Sequence, residues 1–156
     1  MTSRWLNATE DRAWRGYRRL FTLLESRLAR ELAEECGLSV ADYSVLSNLA
    51  ETDDRRWRIT ELAEQMQWSQ SRLSHHLRRM EERGLVLREQ APGDARGAFV
   101  SLTREGLKAI AAATPTHLAG VRRHMIDLLT EEQLQALGDI AETIVGHLDP
   151  DAVDVT

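Results

Sequence analysis

Residues 59–103 read ITELAEQMQWSQSRLSHHLRRMEERGLVLREQAPGDARGAFVSLT, and this stretch decides the fold. Its first part repeats apolar residues at helical spacing: Ile59, Leu62, Ala63 and Met66. A short break at residues 67–68 is followed by Ser69, a favoured N-cap residue for a second helix. That helix extends to about Arg83 and ends at Gly84, where a residue that tolerates positive φ is expected. The stretch therefore predicts a helix, a turn and a second helix.

The second helix of this pair has two chemically different faces. Three apolar residues share the side that we expect to be buried: Leu73, Leu77 and Met80. The other side carries hydrogen-bonding and cationic residues: Ser69, Gln70, Ser71, Arg72, Ser74, His75, Arg78 and Arg79. Such side chains suit base edges and phosphates in the major groove of double-stranded DNA. We predict that the first turns of the helix contact bases, that Arg78 and Arg79 contact phosphates, and that His76 faces a neighbouring helix.

Two short apolar runs after Gly84, residues 85–88 and 98–102, have strand character. Between them, Pro92-Gly93 opens a turn and Gly97 closes it, which predicts a hairpin of the kind called a wing. The tip holds Asp94 and Arg96, and the arginine is placed to reach a narrow minor groove while the aspartate braces it. The alternative is an ordinary hairpin with two solvated charges. The order helix, turn, helix, glycine and wing favours DNA binding.

The same residues resemble the MarR (multiple antibiotic resistance regulator) family. The resemblance rests on the wing pattern G-D-x-R-G at residues 93–97, on V-x-L-T at residues 100–103, and on the segments GLSVADYSVLSNLAE and LTREGLKAI. It extends from about Trp14 to Leu148. It implies an obligate homodimer of winged helix-turn-helix subunits, usually a repressor released from its operator by a small molecule or an oxidant. The expected fold class is mainly α with a small β wing, in which terminal helices form a dimerisation bundle.

The expected organisation is one domain over residues 1–156, with a winged helix-turn-helix lobe at 38–105 and dimerisation helices at 8–36 and 106–148. Apolar stripes recur along both terminal regions, and a compact lobe of this size is too small to cover them all. Packing against a second subunit is the economical solution, and an intramolecular bundle is the alternative. A twofold dimer would select a pseudo-palindromic site. Pro115 is expected to kink or interrupt its helix.

Charge is distributed unevenly along the 156 residues, whose net charge is −5. Between Arg55 and Lys108, eleven basic residues face seven acidic ones, so the middle of the chain is basic and both ends are acidic. Phosphate attraction acts over about 8–10 Å at physiological ionic strength, so the local patch matters more than the total. The chain lacks a membrane-length apolar run and a signal-like N-terminus, and it holds one cysteine. We expect a cytoplasmic location without membrane contact.

Several residues suggest a way to regulate binding. By analogy with the family, Trp14, Tyr17 and Tyr43 are candidates for a pocket that takes a planar aromatic or phenolic acid as effector, and core packing is the alternative. Cys36 is a candidate oxidant sensor, although no second cysteine could resolve a sulfenic acid. His117 and His124 share a helical face, but no acidic or cysteine partner stands at ligand spacing, so neither a metal site nor a cofactor is predicted.

Two other functional classes fit the residues less well. The chain has no phosphate-binding glycine loop, zinc-protease motif or nucleophile elbow, so we expect no enzymatic activity. A winged-helix adaptor for protein partners would carry apolar or acidic residues on the exposed face of the second helix. The arginines, serines and glutamine found there favour nucleic acid instead.

Overall fold

The computed structural model describes residues 5–93 and 97–149, which form six α-helices and three short strands. The helices are α1 (Ala8–Cys36), α2 (Val40–Glu51), α3 (Ile59–Gln65), α4 (Gln70–Glu82), α5 (Arg104–His124) and α6 (Glu131–Leu148), with a 3-10 turn at Ile126–Leu128. The strands are β1 (Arg56–Arg58), β2 (Val86–Gln90) and β3 (Ala98–Leu102). The predicted class, mainly α with a small β wing, is confirmed.

Local sequence signals set the ends of most helices. Ser39 caps α2 and Thr130 caps α6, and in both cases the third helical residue hydrogen-bonds back to the cap. Ser69 caps α4, as predicted. Gly84 follows α4 with a φ of 74°, a left-handed conformation that glycine adopts without steric cost. α5 continues through Pro115, so of the two expected outcomes, a kink or an interruption, the interruption does not occur.

The three strands form one antiparallel sheet in the order β1-β3-β2. Val100 lies at its centre, opposite Trp57 on one side and Arg88 on the other. Trp57 therefore belongs to the sheet, and its indole N–H also donates to the carbonyl of Asn48, 3.0 Å away, which ties the sheet to α2. The Oγ1 of Thr103 donates to the carbonyl of Gly84 and ties the end of the sheet to the end of α4.

The core lies between α2, the helix pair α3–α4 and the inner face of the sheet. Its fully buried side chains come from each of these elements: Val45, Leu46, Leu49, Leu62, Leu73, Leu77, Met80, Val86 and Val100. α1 contributes Leu28 and Leu32 near its C-terminal end, and α5 contributes Ile110 and Ala113. The buried positions of α4 are therefore those that its periodicity predicted.

The described chain separates into two compact units, one up to Leu118 and the other from Ala119. Within the second unit, α6 buries none of its residues. In the first unit, the N-terminal half of α1 also exposes its large apolar side chains: Trp14, Tyr17, Leu20, Phe21 and Leu23. Among the described residues, no helix combines the length and the hydropathy that a membrane span requires.

Candidate nucleic-acid interface

The turn between α3 and α4 fixes where α4 begins. Gln67 adopts a φ of 54°, which reverses the chain after α3. The backbone N–H of Trp68 then donates to the carbonyl of Ala63 over 2.8 Å. The Oγ of Ser69 accepts from the backbone N–H of Arg72 over 3.2 Å. These local bonds hold the turn and the first residues of α4 in one arrangement.

All eight candidate DNA-contacting positions at the start and along the outer face of α4 are exposed: Ser69, Gln70, Ser71, Arg72, Ser74, His75, Arg78 and Arg79. The inner face holds Leu73, Leu77 and Met80, together with His76, which is buried against α2. The first turn of α4 contains no acidic residue. The helix N-terminus and its side chains therefore present donors and positive charge to the same side.

The arginines of α4 have different neighbours. The guanidinium of Arg72 lies 3.8 Å from the centre of the Trp68 ring. Arg78 pairs with Glu82 one turn later, with 3.4 Å between Nε and Oε1. Arg79 places its Nη2 3.1 Å from Nδ1 of His76. The exposed ion pair of Arg78 with Glu82 is weak in water, and the partner of Arg79 is a neutral ring nitrogen, so both arginines stay available for phosphate.

A buried carboxylate connects α4 to α2. Asp42 accepts a bond of 2.7 Å from Nη1 of Arg83, and the same oxygen accepts the backbone N–H of Ser39 over 3.0 Å. Its other oxygen lies 3.0 Å from Nε2 of His76, although the ring N–H is not aimed well enough to make a hydrogen bond. Arg83 also donates to the carbonyl of Gly37. α4 is thus held at both its middle and its end.

This network displaces the pKa values of two groups. Burial by itself raises the pKa of Asp42, but the hydrogen bonds from Arg83 and Ser39, together with the electrostatic attraction of Arg83 and His76, outweigh it and leave the pKa below its ordinary value. Burial lowers the pKa of His76, and the positive charges of Arg79 and Arg83 act in the same direction, against the attraction of Asp42. Folding therefore favours an ionised aspartate beside a neutral histidine.

A second ion pair joins α4 to the wing. Glu81 accepts the backbone N–H of Arg88 over 2.9 Å and the Nε of the same residue over 3.0 Å. The backbone hydrogen bond is the main reason why the pKa of Glu81 lies below its ordinary value. On the sheet, the guanidinium groups of Arg56 and Arg58 lie 4.0 and 4.9 Å from the centre of the Phe99 ring. The wing residues Asp94 and Arg96 lie outside the described residues.

The candidate effector residues do not form a single cluster. Trp14 and Tyr17 stack on each other along α1, with ring centres 5.9 Å apart. Tyr43 packs instead on His117 of α5, with ring centres 4.5 Å apart. A cavity of about 550 Å³ opens near α2, and none of the three residues lines it; its lining is Ala29, Ala33, Ser39, Val40, Ala41, Ser44, Trp68 and Arg72. The effector site stays a prediction.

Cys36 is the candidate oxidant sensor. Cys36 is the last residue of α1 and packs, partly buried, against the core. Among residues 5–93 and 97–149, no three His, Cys, Asp or Glu side chains come together as metal ligands.

The sequence and the structure of this chain were compared with those of known proteins. The sequence model described as "MarR family" matches residues 38–97. AbsC, a MarR family transcriptional regulator from Streptomyces coelicolor, is 41% identical, with a TM-score of 0.88 over 96% of this chain and 100% of that chain. The chain belongs to the MarR family.

Two further relatives agree with this assignment. Sco3205, a MarR family transcriptional regulator from the same organism whose structure was determined in complex with DNA, is 41% identical with a TM-score of 0.88 over 95% of this chain and 96% of that chain. The transcriptional regulator HosA of Escherichia coli O111:H- is 37% identical over 69% of this chain and 76% of its own length. This MarR family member is therefore a transcriptional regulator with a DNA-binding winged helix.

Sequence reasoning missed the two ion pairs that hold α4. The pattern Ser39-x-x-Asp42 is a capping-box signal, and it was available at the start of α2. It predicts the bond between these two residues but not the bond from Arg83. The pair between Glu81 and Arg88 had no comparable local signal, because the two residues lie on different elements.

Proposed function

We propose that this MarR family member is a homodimeric repressor that binds a pseudo-palindromic operator. The observation that carries the proposal is the exposed face of α4, which is free of acidic residues over its first turns and rich in hydrogen-bonding groups. A helix of this kind fits the major groove, where donors and acceptors on base edges differ for each base pair. The structure of Sco3205 in complex with DNA supports DNA as the partner.

Within this proposal, the N-terminal end of α4 enters the groove first. Gln70, Ser71, Arg72 and Ser74 lie there and contact base edges, with Ser69 and His75 beside them. Arg78 and Arg79 lie further along α4 and contact phosphates. On the wing, Arg96 enters the minor groove and Asp94 braces it, which gives the dimer two further contacts outside the central major grooves.

The homodimer follows from apolar surface that the single chain leaves in water. α6 exposes large side chains at helical spacing: Ile140, Ile144, Val145 and Leu148. The first half of α1 exposes an aromatic row of Trp14, Tyr17 and Phe21. Burial of apolar surface is worth about 25 cal/mol per Å², so covering both helices with a second copy is strongly favourable.

Binding sites selected from random duplexes by the wild-type protein would provide the operator for a test of base readout. Arg72→Ala should relax preference at one position of each half-site and cost about 1–3 kcal/mol, whereas Arg79→Ala should weaken binding to all duplexes alike. Arg27→Ala, which removes an exposed arginine from α1, is the matched control. Unchanged affinity and preference for Arg72→Ala would refute this docking of α4.

Two further measurements test the dimer and the wing. Ile144→Glu should convert the protein into a monomer in sedimentation experiments and remove operator binding, while Gln135→Glu on the same helix should leave the dimer intact. Arg96→Ala should reduce affinity most on operators with A·T-rich flanks, where the minor groove is narrow and its potential strongest. Equal loss on all flanks would assign Arg96 to a phosphate instead.

Release from DNA is assigned to a small aromatic or phenolic acid that binds near Trp14, Tyr17 or Tyr43 and favours a spacing of the two α4 helices that does not fit DNA. A preference of about 3 kcal/mol for that state lowers affinity roughly a hundredfold. Titration of such acids into the protein–operator complex, with dimer mass followed in parallel, tests this assignment. An unchanged response after truncation of each aromatic residue would contradict it.

A further inference from the structure

The side chain of Arg72 is placed by an aromatic ring rather than by a hydrogen bond. Its guanidinium lies 3.8 Å from the centre of the Trp68 ring, well within the range of a cation–π contact. None of the described residues accepts a hydrogen bond from this guanidinium or forms an ion pair with it. In contrast, Arg78 and Arg79 on the same helix each have a polar side-chain neighbour.

This mode of contact leaves the donors of Arg72 free. A guanidinium that stacks on a ring uses its flat face, whereas its N–H groups point outward in its own plane. Bidentate recognition of a guanine edge needs those in-plane N–H groups and does not need the face. A stacked Arg72 is therefore already oriented along one direction while it keeps its capacity to bind a base.

Trp68 is itself held in place through both its backbone and its side chain. Its backbone N–H bonds to Ala63, its side chain packs partly buried against the core, and the turn before it is set by the left-handed Gln67. The rings of Trp68 and His76 form a T-shaped pair with an interplanar angle of 88° and a distance of 5.7 Å between ring centres. The platform under Arg72 is thus continuous with the packed interior.

We propose that Trp68 is a positioning residue for base recognition, which restricts the rotamers of Arg72 before DNA arrives and so sharpens the discrimination between operator and other sequences. The proposal rests on the proposed role of Arg72 in base readout. Ordering a long arginine side chain on binding is costly, and a side chain that is already restricted loses less freedom. Trp68 itself need not touch DNA.

The test measures affinity for two duplexes: the best duplex selected by the wild-type protein and a scrambled duplex of the same composition. Trp68→Leu removes the ring face and should weaken binding to the selected duplex about two- to fivefold, with no change on the scrambled duplex. Trp68→Tyr and Trp68→Phe retain a ring of decreasing cation affinity and should fall between the wild type and Trp68→Leu, in that order.

A double-mutant cycle separates positioning from general support of the fold. In an Arg72→Ala background, Trp68→Leu should have no further effect on the selected duplex, because the side chain that it positions is absent. If Trp68→Leu weakens binding to the same extent in that background, or weakens the scrambled duplex equally, Trp68 serves only to stabilise the turn and the proposal fails. Thermal midpoints and dimer mass show whether each variant is folded. If Trp68→Leu does not fold, the order of the tyrosine and phenylalanine variants decides.

Four further results for the Trp68 and Arg72 variants would also decide the proposal. Tighter binding by Trp68→Leu would mean that the ring holds Arg72 away from the bases and would overturn the proposal, as would unchanged binding by all three Trp68 variants. If Arg72→Ala alone leaves site preference unchanged, the docking of α4 is wrong and the positioning role fails with it. If Arg72→Ala relaxes site preference while the Trp68 variants do not, only the positioning role is refuted.

Discussion

Replacement of Asp42 by alanine should reduce the free energy of unfolding by about 2 kcal/mol, since two hydrogen bonds end on this buried carboxylate. The charged hydrogen bond from Arg83 is worth about 1–1.5 kcal/mol, at the low end of its class because the arginine side chain is 44% exposed. The reciprocal bond to the N-cap Ser39 contributes about 1 kcal/mol.

Urea titration followed by far-UV circular dichroism measures this loss, with the protein concentration held constant because a dimer links unfolding to dissociation. Asp42→Asn retains the shape of the side chain and part of the cap but not the charge, so it should lose roughly half as much. Asp53→Ala removes an exposed carboxylate of the neighbouring loop and should change stability by less than about 0.5 kcal/mol. A loss below about 1 kcal/mol for Asp42→Ala would refute the assigned role of this network.

The same network predicts the direction of the pH dependence. The pKa values of both His76 and Asp42 lie below their ordinary values of 6.5 and 3.8, so both contributions to stability are complete above those values and are lost as the pH falls toward the folded pKa. The unfolding free energy should therefore decrease first as the pH falls below about 6.5, and again below about 4. His76→Gln should remove the first decrease. An unchanged pH profile for that variant would assign the decrease to other groups.

The remaining predictions compare matched pairs. Glu81→Ala breaks the attachment of β2 to α4 and should cost about 1–2 kcal/mol of stability. Glu82→Ala removes an exposed ion pair with Arg78 that is worth at most about 0.5 kcal/mol. Equal losses of stability for the two variants in urea titrations would contradict the special role of Glu81. Gly106→Ala would place a methyl group against the backbone oxygen of Leu85 and should lower the thermal midpoint strongly. Gly138→Ala meets open space within α6 and should raise stability by about 0.5–1 kcal/mol. If both glycine variants behave alike, the packing at Gly106 is looser than described.

Much of the DNA-binding lobe could be predicted from local sequence. The spacing of Leu73, Leu77 and Met80 identified the buried face of α4, and Ser69 and Gly84 marked its ends, because helical periodicity and caps depend on residues within one or two turns. The strand limits of β3 were also predicted correctly. The exposed set on α4 followed from the same periodicity. The contacts of these exposed α4 residues with DNA remain predictions, as do the roles of the wing residues Asp94 and Arg96.

Pro115 does not interrupt α5, and the reason is physical. A proline removes the hydrogen bond to the carbonyl four residues earlier, here that of Ala111. Ala111 lies on an exposed part of α5, so water can satisfy its carbonyl and the helix continues. Sequence alone shows that the bond is lost, but it does not show whether the free carbonyl faces water or the core.

Local patterns along the chain identified the helical segments, the buried face of α4 and the side chains that α4 presents. The bond that holds α4 in place depends on how whole elements pack, since Asp42 and Arg83 are 41 residues apart and belong to different elements. The reason is that periodicity and capping act over a few residues and leave a local pattern, whereas a bond between distant side chains depends on how complete elements pack and leaves no pattern along the chain.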